Sequence, residues 1–172
     1  PYSQTLGFSA SLRRPAGPRG QWQFEAGLAR DDNRFNDLQD ATVYSLSLGY
    51  DRAFSATSGG GISLSANRNA ARDPGYALTG GGAGGYLFRE FGPVTAVFNL
   101  GYNHVAADQR IFLYPRRRID NRYSAGLGIT LRNLRFGAFA PLARVRFERN
   151  VSTVEIYDYS RFSGEIGVTA AF

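Results

Sequence analysis

Phe162-Ser-Gly-Glu-Ile-Gly-Val-Thr-Ala-Ala-Phe172 decides how the rest of the chain is read. Phe162, Gly164, Ile166, Val168, Ala170 and Phe172 fall on one side of an extended backbone. Arg161, Ser163, Glu165, Gly167, Thr169 and Ala171 fall on the other. Successive side chains of a strand point to opposite faces, so the stretch is a strand with one apolar and one polar wall.

The same period of two recurs upstream, in segments 2–14, 21–30, 42–54, 60–68, 76–89, 94–104, 121–132 and 139–149, with 159–172 as the ninth. Leu46, Leu48 and Tyr50 alternate with Ser45, Ser47 and Gly49; Ala125, Leu127 and Ile129 alternate with Ser124, Gly126 and Gly128. Several segments reach the roughly 9–11 residues of a tilted membrane strand, whereas soluble strands average about 5–6. The polar wall carries mostly Ser, Thr, Gly and Ala, too small for a solvated sheet face, and this argues against a β-sandwich. Trp22, Tyr44, Phe54, Phe88, Tyr102 and Tyr123 are expected on the apolar wall near segment ends, where interfacial aromatic girdles sit. Unpaired backbone groups cost several kcal/mol in hydrocarbon, so such strands are expected to close into a ring. The expected fold is all-β, a transmembrane antiparallel up-and-down β-barrel occupying residues 1–172 as one domain.

Composition narrows the chemistry. The 172 residues include no cysteine, and all twenty basic residues are arginine. A P-loop lysine, a Schiff-base lysine and a Ser-x-x-Lys dyad are therefore excluded. The net charge is +6, but the arginines are spread over many strand ends and loops without a nucleic-acid module, so no nucleic-acid partner is expected. No apolar run approaches the roughly 18 residues of a membrane helix. No signal peptide is present, which reads as a mature or trimmed chain.

Connection lengths alternate. Short ones fall at 15–20, 55–58, 90–93 and 133–138, longer ones at 31–41, 69–75, 105–120 and 150–158. In bacterial barrels short turns are periplasmic and long loops extracellular, and strand counts are even. Nine is odd, so the expectation is the C-terminal part of a larger barrel, the alternative being one miscounted strand.

The alternating end on an aromatic resembles the recognition signal of bacterial outer-membrane β-barrels, with Ile166, Val168 and Phe172 as its residues. That resemblance implies the outer membrane of a Gram-negative bacterium, its lipids and lipopolysaccharide, and the barrel assembly machinery as partners. A second resemblance lies just before it. Phe136-Gly-Ala-Phe-Ala-Pro141, then Ala143-Arg-Val-Arg-Phe-Glu-Arg-Asn150-Val-Ser152, then Val154-Glu-Ile-Tyr-Asp-Tyr-Ser-Arg161 is similar to the end of the surface lipoprotein assembly modifier barrel. Thr153 and Val154 stand where that family more often has Asn and Ile, and Phe147 stands for its usual aromatic. The resemblance implies a barrel of about fourteen strands, preceded by a periplasmic tetratricopeptide-repeat domain. It also implies export or surface display of a protein substrate, a surface lipoprotein or a haem-binding protein. A porin-like diffusion channel and a structural anchor are the other expectations.

Arg144, Arg146, Glu148, Arg161 and Glu165 are expected to share the interior face of the last two strands. They form either a charged lining that guides a polypeptide or sets ion preference, or an internal salt-bridge network. Gly80 to Gly85 reads as wall geometry, with Phe98 covering the gap; a weak spot that opens laterally is the functional alternative. Arg116, Arg117 and Arg118, beside aromatics in a loop, could meet lipid A phosphates or a secreted partner. His104 has no serine close behind it, and only Asp31 and Asp32 could make it an acid–histidine site. No enzyme, metal or cofactor is expected.

Overall fold

The computed structural model describes residues 3–134 and 139–170. Phe172 and the Phe136-Gly-Ala start of the family-like run lie outside them. The strands are β1 (Ser3–Pro15), β2 (Gly20–Asn33), β3 (Ala41–Ser55), β4 (Ser58–Ala71), β5 (Leu78–Phe91), β6 (Val94–Ala107), β7 (Ile119–Leu131), β8 (Phe139–Ser152) and β9 (Tyr159–Ala170). Each pairs antiparallel with the next, in a single sheet ordered β1 to β9. Among the described residues β1 pairs only with β2 and β9 only with β8, so the sheet is open. It has no second layer, which removes the β-sandwich.

Strand starts fall close to where the alternation puts them. The loop-side ends run further, because pairing continues through polar residues: Thr5 opposite Asp31, Val43 opposite Asn69, Val105 opposite Asp120. The long connections shrink to 34–40, 72–77, 108–118 and 153–158, and all lie at one end of the sheet. The tight turns lie at the other. Gly17 and Gly92 there have φ of 75° and 58°, a left-handed conformation that glycine adopts without steric cost.

The ladders keep every strand in phase. One row runs Trp22, Tyr50, Ile62, Gly85, Leu100, Ala125, Phe147, Phe162 across β2 to β9. On the opposite face another runs Glu25, Ser47, Ser65, Gly82, Asn103, Arg122, Asn150, Tyr159. The first face is uncovered: Leu6 is 83% exposed and Ile166 90%. The second is crowded, and Asp120, Glu148 and Asn150 are buried on it. Tyr86 Oη donates to Asp51 across β4 at 2.9 Å, directly over Gly61, the residue between them in register. A Cβ on Gly61 would meet both side chains. Asn99 lies over Gly126 in the same way, its Oδ1 2.6 Å from where a Cβ would stand.

Two expectations about β5 are corrected. Phe88 lies on the polar face, between Gly59 and Val97, together with Tyr86. Phe98 stands opposite Leu87, and Gly85 faces Leu100 instead. A run of glycines has no apolar phase of its own, so the faces of β5 are set by the ladders on either side.

The register also reveals the outline of the apolar face. Its loop-side limit is marked by the cross-strand pairs Arg30–Thr42, Arg68–Thr79, His104–Asn121 and Arg149–Ser160, on successive hairpins from β2 to β9. Each pair sits one row, two residues, nearer the turn end than the pair before. On the turn side Arg14, Arg52 and Arg89, on β1, β3 and β5, descend by the same step. Gln4 and Arg14, Thr42 and Arg52, Thr79 and Arg89 are each ten residues apart, with four apolar-face positions between them. With about 3.3 Å per residue and 4.8 Å between strands, this slope makes the band level when the strands lean by about 35°. At that lean ten residues span about 27 Å.

Gly126→Val should therefore lower the unfolding free energy by about 1–3 kcal/mol through overpacking against Asn99. Gly167, on the same face with nothing within 4 Å of its added Cβ, should accept alanine within about 0.5 kcal/mol. Denaturant titration of both variants in detergent micelles checks the contrast.

Candidate functional site

The five charged residues expected to share a face are brought together. In the ladders Arg144 stands opposite Glu165, and Glu148 opposite Arg161, with Arg146 between two small residues, Gly126 and Ser163. Glu148 is the centre: its residue is 3% exposed. Tyr159 Oη donates to its Oε1 at 2.5 Å, Arg161 Nη2 lies 3.4 Å from the same oxygen, and Arg146 Nη2 donates to Oε2 at 3.1 Å. A buried carboxylate needs such partners, since an isolated buried charge is costly. Arg144 and Glu165 are looser, 3.6 Å apart and both 61% exposed, a geometry worth little to stability.

Arg122, on the same face of β7 opposite Asn150, joins the patch. Four guanidinium groups thus face two carboxylates, Glu148 and Glu165. A recess of about 540 Å³ lies over Gly126 and Gly128, walled by Asn99, Arg144, Arg146 and Glu165. The absence of side chains on β7 opens this space, and arginine donors not used by Glu148 line it. Glu148 is thus the centre of a salt-bridge network, while Arg144 and Arg146 border the recess.

A second cluster ties the long connections together. Asp120, 5% exposed, accepts from Ser152 Oγ at 2.6 Å and from Arg118 Nε at 2.8 Å. The Arg118 guanidinium stacks 3.7 Å from the Tyr157 ring centre. Thr153 Oγ1 donates to the Arg117 carbonyl at 2.6 Å and accepts from the Ile119 amide at 2.9 Å. Segment 108–118 is thereby fastened to 153–158. The three consecutive arginines separate in role: Arg118 is held by Asp120, while Arg116 and Arg117 are exposed, as are Phe112 and Leu113 of the same segment. Arg149, at the end of β8, pairs with Asp158, which also accepts from the Ser152 amide at 3.2 Å.

His104 is not joined to Asp31 or Asp32. Its Nδ1 lies 2.9 Å from Asn121 Oδ1 on the apolar-face side of β6. Asp31 accepts from Thr5 on the polar face of β2, and Asp32 pairs with Arg30. Among the described residues no three His, Cys, Asp or Glu side chains converge as metal ligands. Ile166 and Val168 lie on the apolar face of β9, 90% and 62% exposed. Tyr159, Asp120, Ser152 and Arg122 were not singled out by sequence; their partners are set by register, and no local motif announces them.

No protein-family model matches the chain, and no curated protein matches it.

The loop-side carboxylates carry a pH dependence. The Arg68 guanidinium holds the Asp108 carboxyl below the usual carboxylate range. The Arg149 guanidinium, helped by the Ser152 amide, does the same for Asp158. A depressed folded-state value means that each pair stabilises above the ordinary carboxylate range and is lost as pH falls through the lowered value. Protection of 153–158 against hydrogen exchange, relative to the intrinsic amide rate at each pH, should thus fall on acidification below the ordinary carboxylate range, and Asp158→Asn should show low protection at neutral pH with little further change on acidification.

Proposed function

We propose that the chain forms the wall of a transmembrane β-barrel in the outer membrane of a Gram-negative bacterium. Its apolar face meets lipid tails, and its polar face lines an interior through which polar cargo passes. The observation that carries this reading is the slanted apolar band. Its lean of about 35° and height of about 27 Å match the roughly 35–45° strand tilt and 25 Å apolar belt of outer-membrane barrels. On β1, β3 and β5 two polar positions of the apolar face stand ten residues apart, a spacing that a soluble sheet has no reason to keep from strand to strand. Strands of 12 to 15 residues are long enough to cross at that tilt and project beyond it.

As cargo we propose a protein destined for the cell surface, a lipoprotein or a soluble haem-binding protein. That part rests on the family-like run through Arg161. Lipopolysaccharide and the barrel assembly machinery are the proposed partners of the outer wall and of the alternating end, and no catalytic role is proposed. One observation favours a second reading, a diffusion channel for small polar solutes: Arg144 and Arg146 line the recess over β7 and are more than half exposed beside their pairs with Glu165 and Glu148.

Because the chain has no cysteine, single cysteines report each face cleanly. A fluorophore at Leu46→Cys or Leu127→Cys should be quenched by brominated lipid in reconstituted vesicles, and one at Ser47→Cys or Ser124→Cys by an aqueous quencher. Equal aqueous quenching at all four sites would end the membrane reading. Conduction by the full chain without surface display of a co-expressed lipoprotein would favour the channel over export.

A further inference from the structure

The two polar limits of the apolar face carry the same residue type but not the same charge. On the loop side each arginine has its own carboxylate: Arg30 with Asp32 at 3.2 Å, Arg68 with Asp108 at 2.5 Å, Arg149 with Asp158. On the turn side Arg14, Arg52 and Arg89 are exposed, and among the described residues none of the three is ion-paired; Arg89 only leans over the Phe91 ring at 5.1 Å. Asp51 and Glu90, next in sequence to Arg52 and Arg89, both lie on the polar face, where Asp51 accepts from Tyr86 at 2.9 Å and Glu90 pairs with Arg132 at 3.0 Å.

We infer that this turn-side arginine line is a docking rim for the phosphates of anionic glycerophospholipids in the leaflet facing the turns. The inference rests on the membrane reading above and adds a lipid class and a side to it. Each arginine follows an apolar-face residue of its strand, Leu12 before Arg14, Tyr50 before Arg52 and Leu87 before Arg89, and on β3 and β5 an exposed aromatic, Phe54 or Phe91, stands one position further on the same face. A long stem can lie along the band there while the guanidinium reaches the headgroup level. Guanidinium groups bind phosphate oxygens in a fork that ammonium groups cannot reproduce.

Spacing decides what kind of phosphate. From the register, successive arginines on this line are separated by two strands and one two-residue step, about 12 Å. One small polyanion cannot bridge three such points, whereas a sheet of lipid headgroups offers each its own phosphate. The loop-side line cannot compete for the same ligand, since its guanidinium groups are already neutralised by aspartates.

The test uses the full chain inserted into phosphatidylcholine vesicles, with and without phosphatidylglycerol at about one lipid in five, at low and high salt. The readout is the denaturant concentration at half unfolding. For the parent chain phosphatidylglycerol should raise it at low salt only. In the triple variant Arg14→Gln, Arg52→Gln, Arg89→Gln the rise should vanish, a weakening of about fivefold in lipid affinity per arginine. The loop variant Arg116→Gln, Arg117→Gln should keep the rise. If the triple variant does not fold, each single variant should lose a share of it. An equal rise in all variants, or none in the inserted parent, overturns the inference while leaving the membrane reading intact. Failure of the parent to insert into either vesicle sinks both.

Discussion

An apolar face with nothing packed against it is the constraint on which this structure turns. Burial of apolar surface is worth roughly 25 cal/mol per Å², and monomeric soluble proteins rarely leave contiguous apolar patches beyond a few hundred Å². Here Leu6, Phe8, Leu46, Ile62, Leu64, Leu100, Phe162 and Ile166 all lie on one side, each more than half exposed. Continuous ladders hold every strand in the same phase, so the apolar side chains cannot turn inward singly. An apolar medium of the height and slant of the band resolves the conflict without any change in the sheet.

The other face is governed by crowding. Glycine lies where a neighbour's side chain leans across: Gly61 beneath Asp51 and Tyr86, Gly126 beneath Asn99, Gly80 beneath Asn67. Small residues there let polar side chains reach two strands away and satisfy one another, which matters because buried polar groups without partners are costly. At Glu148 the same principle acts with charge. Its two oxygens take Tyr159, Arg161 and Arg146, so one carboxylate orders three side chains of β8 and β9. The recess over Gly126 and Gly128 is the consequence on β7, space beside the half-exposed guanidinium groups of Arg144 and Arg146.

The sequence made the strands legible because alternation is a local property: each segment carries its own phase in Leu, Phe, Ile and Val. Where the side chains have no phase, the reading slips. In Gly80 to Gly85 only Ala83 marks a face, so the alternation misplaces Phe88, which the ladders put on the polar face. Alternation underestimates the loop-side ends because Asp31, Asn69 and Asp120 look like loop residues while their backbones still pair. Arg144, Arg146, Glu148, Arg161 and Glu165 were visible as a cluster because alternation alone puts them on one face. Asp120 with Ser152, and Glu148 with Tyr159, needed the register between strands, and so did the slanted limits of the apolar band. No single strand contains a slope.

That slope bears on the edges of the sheet. A step of one residue per strand gives the lean of an eight-stranded barrel with a shear of eight, about 36°, so the sheet already has the stagger that closure demands. β1 and β9 both run from the loop end to the turn end. Pairing them directly would introduce one parallel ladder into an otherwise antiparallel wall, with evenly spaced but slanted hydrogen bonds. An odd number of strands set between them restores the alternation of direction, and continues the arginine limits one row further for every two strands added. Either closure would have to bring the apolar faces of β1 and β9 into the same band. Leu6, Phe8 and Leu12 on one edge and Phe162, Ile166 and Val168 on the other are already in the phase that it requires.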